Sequence, residues 1–311
     1  MLCQSKSGIK FFTAAALCLS IMLSSAGCGE SGIGWLWQSG SGQESDTEYL
    51  IIHVTDSESD TEDGVGTSVF YDGTAVDYTG ETHPGTDICY EGSGENKNRI
   101  IVIDAGHQIK GNSGQEPIGP GAESTQAKVS SGTSGTFSGV EEYMLNLRVA
   151  ISLRDELLSR GYSVVMIRET NEVDISNAER AQVANRHHAS AFIRIHANGW
   201  ENDEMQGAMT VCQTAENPYP NCAAVYSESR RLSEAVLDAY CAATGISRRS
   251  IWETDSKAGT NWSAVPTTIL EMGFMSNRED DLRMQESDFA GHAARGIADG
   301  LDAFFAGSDG T

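Results

Sequence analysis

Three short segments, far apart in the chain, each carry a side chain of the kind that binds zinc. They are IVIDAGH, ending at His107, GVEEYMLNL, with Glu142 inside it, and FIRIHAN, with His196. A fourth, VPTTILEMGFMSN, carries Glu271. Zinc sites that act on substrates hold the ion with three nitrogen or oxygen ligands and keep one position open. His107, Glu142 and His196 would supply such a set, leaving Glu271 to move a proton. Each piece is weak alone. A histidine at a strand end is more often a hydrogen-bonded structural residue than a ligand. A glutamate in a helix's first turn is most simply a solvated group that complements the dipole. Glu271 is less ordinary, because it lies between Thr-Thr-Ile-Leu and Met-Gly-Phe-Met. A carboxylate in so apolar a strand needs a partner, a metal or a raised pKa.

The elements that must position these residues follow from hydrophobic periodicity. Residues 99–104, 162–168, 191–196, 206–213 and 267–272 read as apolar strands, the first ending at a Gly turn. Residues 141–160 have helical spacing, with Leu145, Val149, Leu153 and Leu157 on one face and a stop at Gly161. Helices are also expected over 177–188, 227–244 and 288–305. Strands alternating with helices predict an α/β domain, a mostly parallel twisted sheet flanked by helices. Ligands of such sheets bind beyond the carboxyl ends of the strands. His107, His196 and Glu271 all fall at or near such ends, which is the best argument from sequence that they meet.

The remainder of the chain says where this domain would work. Of 311 residues, the first 28 read as a signal peptide. Lys6 and Lys10 precede an apolar run from Phe11 to Leu23, and small residues lead to Cys28. That arrangement looks like a bacterial lipoprotein signal, with Cys28 the lipidated residue, although Ser25 stands where Leu is usual. Residues 29–98 hold fifteen Asp or Glu against Lys97 alone. This segment is too polar to bury a core and reads as a disordered, self-repelling tether with a reach of roughly 45 Å. Within it, Tyr49–Val54 and Val69–Tyr71 are short strand candidates. The folded domain is expected over 99–307. A net charge of −23 without a basic stripe argues against nucleic acid as a partner. No Cys-x-x-Cys pair exists, so a thiolate zinc site is not expected. Cys212 and Cys241 read as small buried residues, and Cys212 with Cys222 would close a short disulfide loop in an exported protein.

Together the four segments resemble the zinc-dependent N-acetylmuramoyl-L-alanine amidases of the amidase-3 type, over roughly Arg99 to Phe305. The family's second zinc ligand is a Glu followed four residues later by Asn and then Leu. That pattern selects Glu142, with Asn146 and Leu147, over Glu141. The resemblance implies one Zn2+ per chain on His107, Glu142 and His196, with Glu271 as catalytic base. It also implies substrate-binding roles for Arg180, Asn198, Asn261 and Trp262. Arg194 departs from the family, where Ser is common. The implied reaction is hydrolysis of the amide between N-acetylmuramic acid and L-alanine, with peptidoglycan as partner. The implied setting is extracytoplasmic, with a lipid on Cys28 tying a monomer to the membrane. The polar segment between His107 and Glu142 is an insert of flexible character and a candidate lid. His187, His188 and His292 have no place in the family pattern and read as helix-end or surface residues. A catalytically silent wall-binding lipoprotein and a metallopeptidase cutting another amide are the competing readings.

Overall fold

A computed structural model describes residues 36–37, 51–52, 67–71, 74–78, 86–93 and 95–307, with side chains from residue 86 onward. The expected signal peptide, Cys28 and most of the acidic segment lie outside the described residues. Two short antiparallel pairs precede the domain: β1 (Leu36–Trp37) with β2 (Ile51–Ile52), and β3 (Thr67–Tyr71) with β4 (Thr74–Tyr78).

The domain's sheet is built from β5 (Thr86–Tyr90), β6 (Ile100–Ala105), β9 (Ser163–Arg168), β10 (Ala191–Asn198), β11 (Ala208–Cys212), β12 (Arg248–Glu253) and β13 (Thr267–Phe274). Their spatial order is β12-β11-β13-β10-β6-β9-β5. Four of the six pairings are parallel; β11 with β13 and β5 with β9 are antiparallel. The mostly parallel α/β sheet expected from the sequence is therefore the observed one. The sheet also begins earlier than expected. β5 is a strand of the sheet, although it falls in the acidic segment that reads as tether. Asp87 ties it to Arg186 and His187, and Lys97 bonds Asp302 at 2.5 Å.

Side-chain alternation along each strand divides the core. Ile101, Ile103 and Ala105 of β6, with Ile193 and Ile195 of β10, pack under α1 (Glu142–Ser159), α4 (Tyr226–Thr244) and α7 (Phe289–Ala306). Val102 and Phe192 face the other way, toward α2 (Asn177–Arg186). The stripe Leu145, Val149, Leu153 and Leu157 of α1 is fully buried, as its spacing requires. Replacing one of these leucines by Ala would cost about 2–5 kcal/mol. Helix α2 starts with a capping box, Ser176 bonding the Glu179 amide while Glu179 reaches back to the Ser176 amide.

The segment between His107 and Glu142, flexible in character by sequence, is structured here, and its Ser130, Gly132 and Thr133 line the pocket described below. β7 (Asn112–Pro117) and β8 (Thr125–Val129) form an antiparallel hairpin. The stretch that follows is anchored by buried Asp281. Its carboxylate accepts from the amides of Phe137 and Ser138, both at 2.8 Å, and from the Ser138 hydroxyl at 2.6 Å. A chain of small polar residues lacks the apolar pattern of a strand, but its backbone groups still find partners. Short helices α3 (Pro220–Ala224), α5 (Ala258–Asn261) and α6 (Arg278–Arg283) complete the domain.

Candidate metal centre and active site

The parallel strands β13, β10 and β6 are adjacent, so their carboxyl ends form one row. In that row His196 stands directly opposite Glu271 in the register of β10 and β13. The β6 chain ends beside them and turns at Gly106. A Cβ on Gly106 would lie 2.2 Å from the His196 ring, so this turn needs glycine. His107 follows with φ of 62°, a left-handed conformation that is costly for a side-chain-bearing residue. Buried guanidinium groups hold it. Arg168 donates to the carbonyls of Ala105 at 2.7 Å and Gly106 at 3.1 Å. Arg180 donates to the carbonyls of Ala105 at 3.1 Å and His107 at 3.2 Å.

Glu142 opens α1 and is buried, whereas its neighbour Glu141 is exposed. Its Oε1 lies 3.1 Å from His107 Nε2 and 3.2 Å from His196 Nδ1. One ligand atom from each of the three residues falls within 4.8 Å of the others. Oε1 also accepts from the Ala197 amide at 3.1 Å and from Asn146 Nδ2 at 3.2 Å. Oε2 accepts from the Thr133 amide at 3.0 Å. Asn146 is one helical turn beyond Glu142, so the spacing of the motif places its amide on the carboxylate.

The donor set suits a divalent cation. His107 Nδ1 lies 2.9 Å from the Ser130 carbonyl, which can only accept, so Nδ1 carries a proton. In a neutral ring Nε2 would then turn a lone pair toward the Glu142 carboxylate. Two acceptors facing at that distance are unfavourable unless a proton or metal ion lies between them. The Ser130 contact is the outer hydrogen bond that metal-ligating histidines make. His196 Nε2 is buried without a hydrogen-bond partner among the described residues. Two imidazoles and a carboxylate match zinc's preference for N and O ligands at an open site.

In the metal-free chain a proton shared with Glu142 favours the close approach of His107 Nε2. Burial opposes charge on His107, but the hydrogen bond and charge of Glu142 outweigh it and raise the pKa above the ordinary value. Burial pushes His196 down to about 4, favouring the neutral ring that can ligate. Burial alone would raise the Glu142 carboxyl, yet two imidazole partners hold it well below the carboxylate range. Glu271 has no such partners. Burial and the nearby Glu142 charge push it up to about 7.

An open pocket of about 540 Å³ exposes His107, Glu142, His196 and Glu271, with Asn198, Thr133 and Trp200 around them. Trp200 is 57% exposed, an unusual setting for a large aromatic and one suited to a bound ligand. Of the residues expected to touch substrate, Asn198 lines this pocket. Arg180 does not: it is fully buried and donates to Asp104 at 2.6 Å and to the carbonyls that fix His107. Asn261 is buried too, donating to the carbonyls of Ile118 and Asp255. Trp262 donates to the Pro117 carbonyl at 2.9 Å. These two residues therefore pin the β7 hairpin. Arg168 and Ser130 escaped the sequence reading. The signal for Arg168 was present, since a charged residue ending the apolar strand SVVMIR is the same anomaly as Glu271. The described residues contain no disulfide; Cys212 and Cys222 are buried thiols, and Cys241 is part-buried.

This fold and centre define a class. Residues 101–303 match the amidase-3 family, described as N-acetylmuramoyl-L-alanine amidase, and the chain belongs to that family. It is 26% identical over 168 residues to the N-acetylmuramoyl-L-alanine amidase LytC of Bacillus subtilis, a match covering 54% of this chain and 32% of LytC. The chain thus spans about a third of that relative's length. An N-acetylmuramoyl-L-alanine amidase of Mycobacterium tuberculosis is 25% identical over 216 residues, covering 67% of this chain and 86% of the relative. The crystal structure of the N-acetylmuramyl-L-alanine amidase of Mycobacterium smegmatis superposes with a TM-score of 0.61 at 25% identity. That match covers 69% of this chain and all of the solved one (100%).

Proposed function

We propose that the chain is a zinc-dependent peptidoglycan amidase that hydrolyses the bond between N-acetylmuramic acid and L-alanine, freeing stem peptides from glycan strands. The observation that carries this reading is the pairing of His196 with Glu271 across two strand ends, beside the His107–Glu142–His196 cluster. Zn2+ bound by these three residues would supply a Lewis acid, polarising the amide carbonyl and acidifying water. The protein's own groups do the rest. Glu142 fixes both imidazoles, and Ser130 fixes the tautomer of His107. Glu271 takes a proton from the attacking water on its carboxylate and returns it to the nitrogen of the departing L-alanine. Its raised pKa suits both halves of that shuttle. Asn198 and Trp200 flank the site where the substrate would lie.

The cellular setting follows from the same reading. Residues 1–28 act as a lipoprotein signal, Cys28 carries lipid, and the acidic segment links the membrane to a monomeric domain that reaches the wall. The test is digestion of purified peptidoglycan, with mass analysis of the fragments. Wild type releases stem peptides with a free L-alanine amine, Glu271→Ala keeps zinc but loses most turnover, and His107→Ala loses both. Near-wild-type turnover by Glu271→Ala would overturn the assignment of the base, and cleavage elsewhere in the stem would favour a peptidase.

A further inference from the structure

A second group of metal-ligating side chains lies where edge strand β5 meets the end of α2. Asp87, Cys89 and His187 each offer a ligand atom, and these atoms lie within 4.8 Å of one another. None of them belongs to the first centre. A zinc ion with bonds of the usual lengths sets its N, O and S ligands roughly 3.4–3.7 Å apart, so binding would draw the sulfur in and open the Asp87–His187 pair, now 2.5 Å apart, by about an ångström. We infer that Asp87, Cys89 and His187 form a second, structural zinc site that rivets strand β5 to the end of α2.

Three observations support this site. The first is its donor chemistry. An imidazole nitrogen, a carboxylate oxygen and a sulfur together suit a borderline-soft ion. The second is the backbone. Asp87 has φ of 61°, and it is the one β5 residue without a ladder partner on β9, where Thr86, Ile88, Cys89 and Tyr90 are paired. A strained residue breaking an otherwise regular strand is one whose side chain is being aimed. The third is the surroundings. The Asp87 and His187 side chains are only 15% and 6% exposed, and Asp87 Oδ1 lies 2.5 Å from His187 Nε2. Its other oxygen accepts from Arg186 at 2.8 Å, the outer hydrogen bond that orients a ligating carboxylate. Burial would raise the Asp87 carboxyl, but bonds from His187 and Arg186 hold it near about 2, so it is an anion at neutral pH. Zinc binding would displace the proton shared by Asp87 and His187 and the proton of the Cys89 thiol.

Cobalt(II) is the probe that separates the two centres, because the first has no sulfur. The purified chain, freed of zinc and titrated with Co2+, should bind two ions and show a thiolate-to-cobalt charge-transfer band. Cys89→Ser should bind one ion and lose the band. His107→Ala should also bind one ion but keep it. Retention of one cobalt by Cys89→Ser shows that the variant is folded. A wild-type chain without the thiolate band would overturn the site and leave Asp87–His187 as an ion pair. A band that survives in Cys89→Ser would overturn it equally, since the sulfur would come from elsewhere.

Discussion

Glu271→Gln should stabilise the metal-free protein, and only above mildly acidic pH. The Glu271 carboxyl stands at about 7 in the folded chain against an ordinary value of 4.5, because it is buried beside Glu142. Below the ordinary value it is protonated in both states and contributes no pH dependence. Between the two values the unfolded chain releases the proton while the folded chain keeps it, so stability falls as pH rises. Above the folded value the loss is complete. A shift of this size corresponds to at most about 3.4 kcal/mol, and the open mouth of the pocket reduces this to about 2–3 kcal/mol. Glutamine keeps the shape and removes the charge. Urea unfolding of metal-free wild type and variant should therefore coincide near pH 4. The variant should then gain up to about 1.4 kcal/mol per pH unit and level off near pH 8. Added zinc should shrink the difference, since a cation beside Glu271 favours the carboxylate. A constant difference across this range, or a more stable wild type near pH 8, would refute the reasoning.

Other perturbations probe the same site. Glu142→Ala should abolish zinc binding in the first centre while Glu141→Ala leaves it intact, because only Glu142 faces the histidines; equilibrium dialysis of each variant checks this. Asn146→Ala removes a hydrogen bond to the ligating carboxylate and should weaken zinc about 10–100-fold, read by competition with a chelating dye. Arg180→Ala should act through stability rather than substrate affinity. Removing one partner of a buried pair costs about 3–5 kcal/mol, and Arg194 still pairs with Asp104, so the loss in urea unfolding should lie at or below that range. A change confined to KM would instead restore Arg180 to the substrate groove.

The central strands and long helices were legible because apolar periodicity dominates where an element is buried on a full face. The strand ends of β6, β10 and β13 were legible for the same reason, and their adjacency in a parallel sheet brings His107, His196 and Glu271 together. What escaped the sequence lacks that pattern. β5 is Thr-Asp-Ile-Cys-Tyr in acidic surroundings, and β12 is Arg-Arg-Ser-Ile-Trp-Glu at the opposite edge. Both are edge strands, which need only one apolar neighbour. The β7–β8 hairpin is held by backbone pairing and by hydrogen bonds from Asn261 and Trp262, and the stretch after it by Asp281, none of which leaves a hydrophobic trace. Arg180, Asn261 and Trp262 were recognisable as members of a motif, but a motif records that residues belong together and not what they touch. Burial takes Arg180 and Asn261 off the pocket surface, whereas Trp262 is part-buried and bonds the Pro117 carbonyl.

The most direct test of the account is cleavage of purified peptidoglycan in heavy-oxygen water, with the chain zinc-loaded or treated with chelator. Hydrolysis as described places one heavy oxygen on the lactyl carboxylate of muramic acid and leaves a free amine on L-alanine, and chelator abolishes both until zinc is restored. Unlabelled muramic acid with heavy oxygen inside the stem peptide, or cleavage that persists without metal, would contradict it.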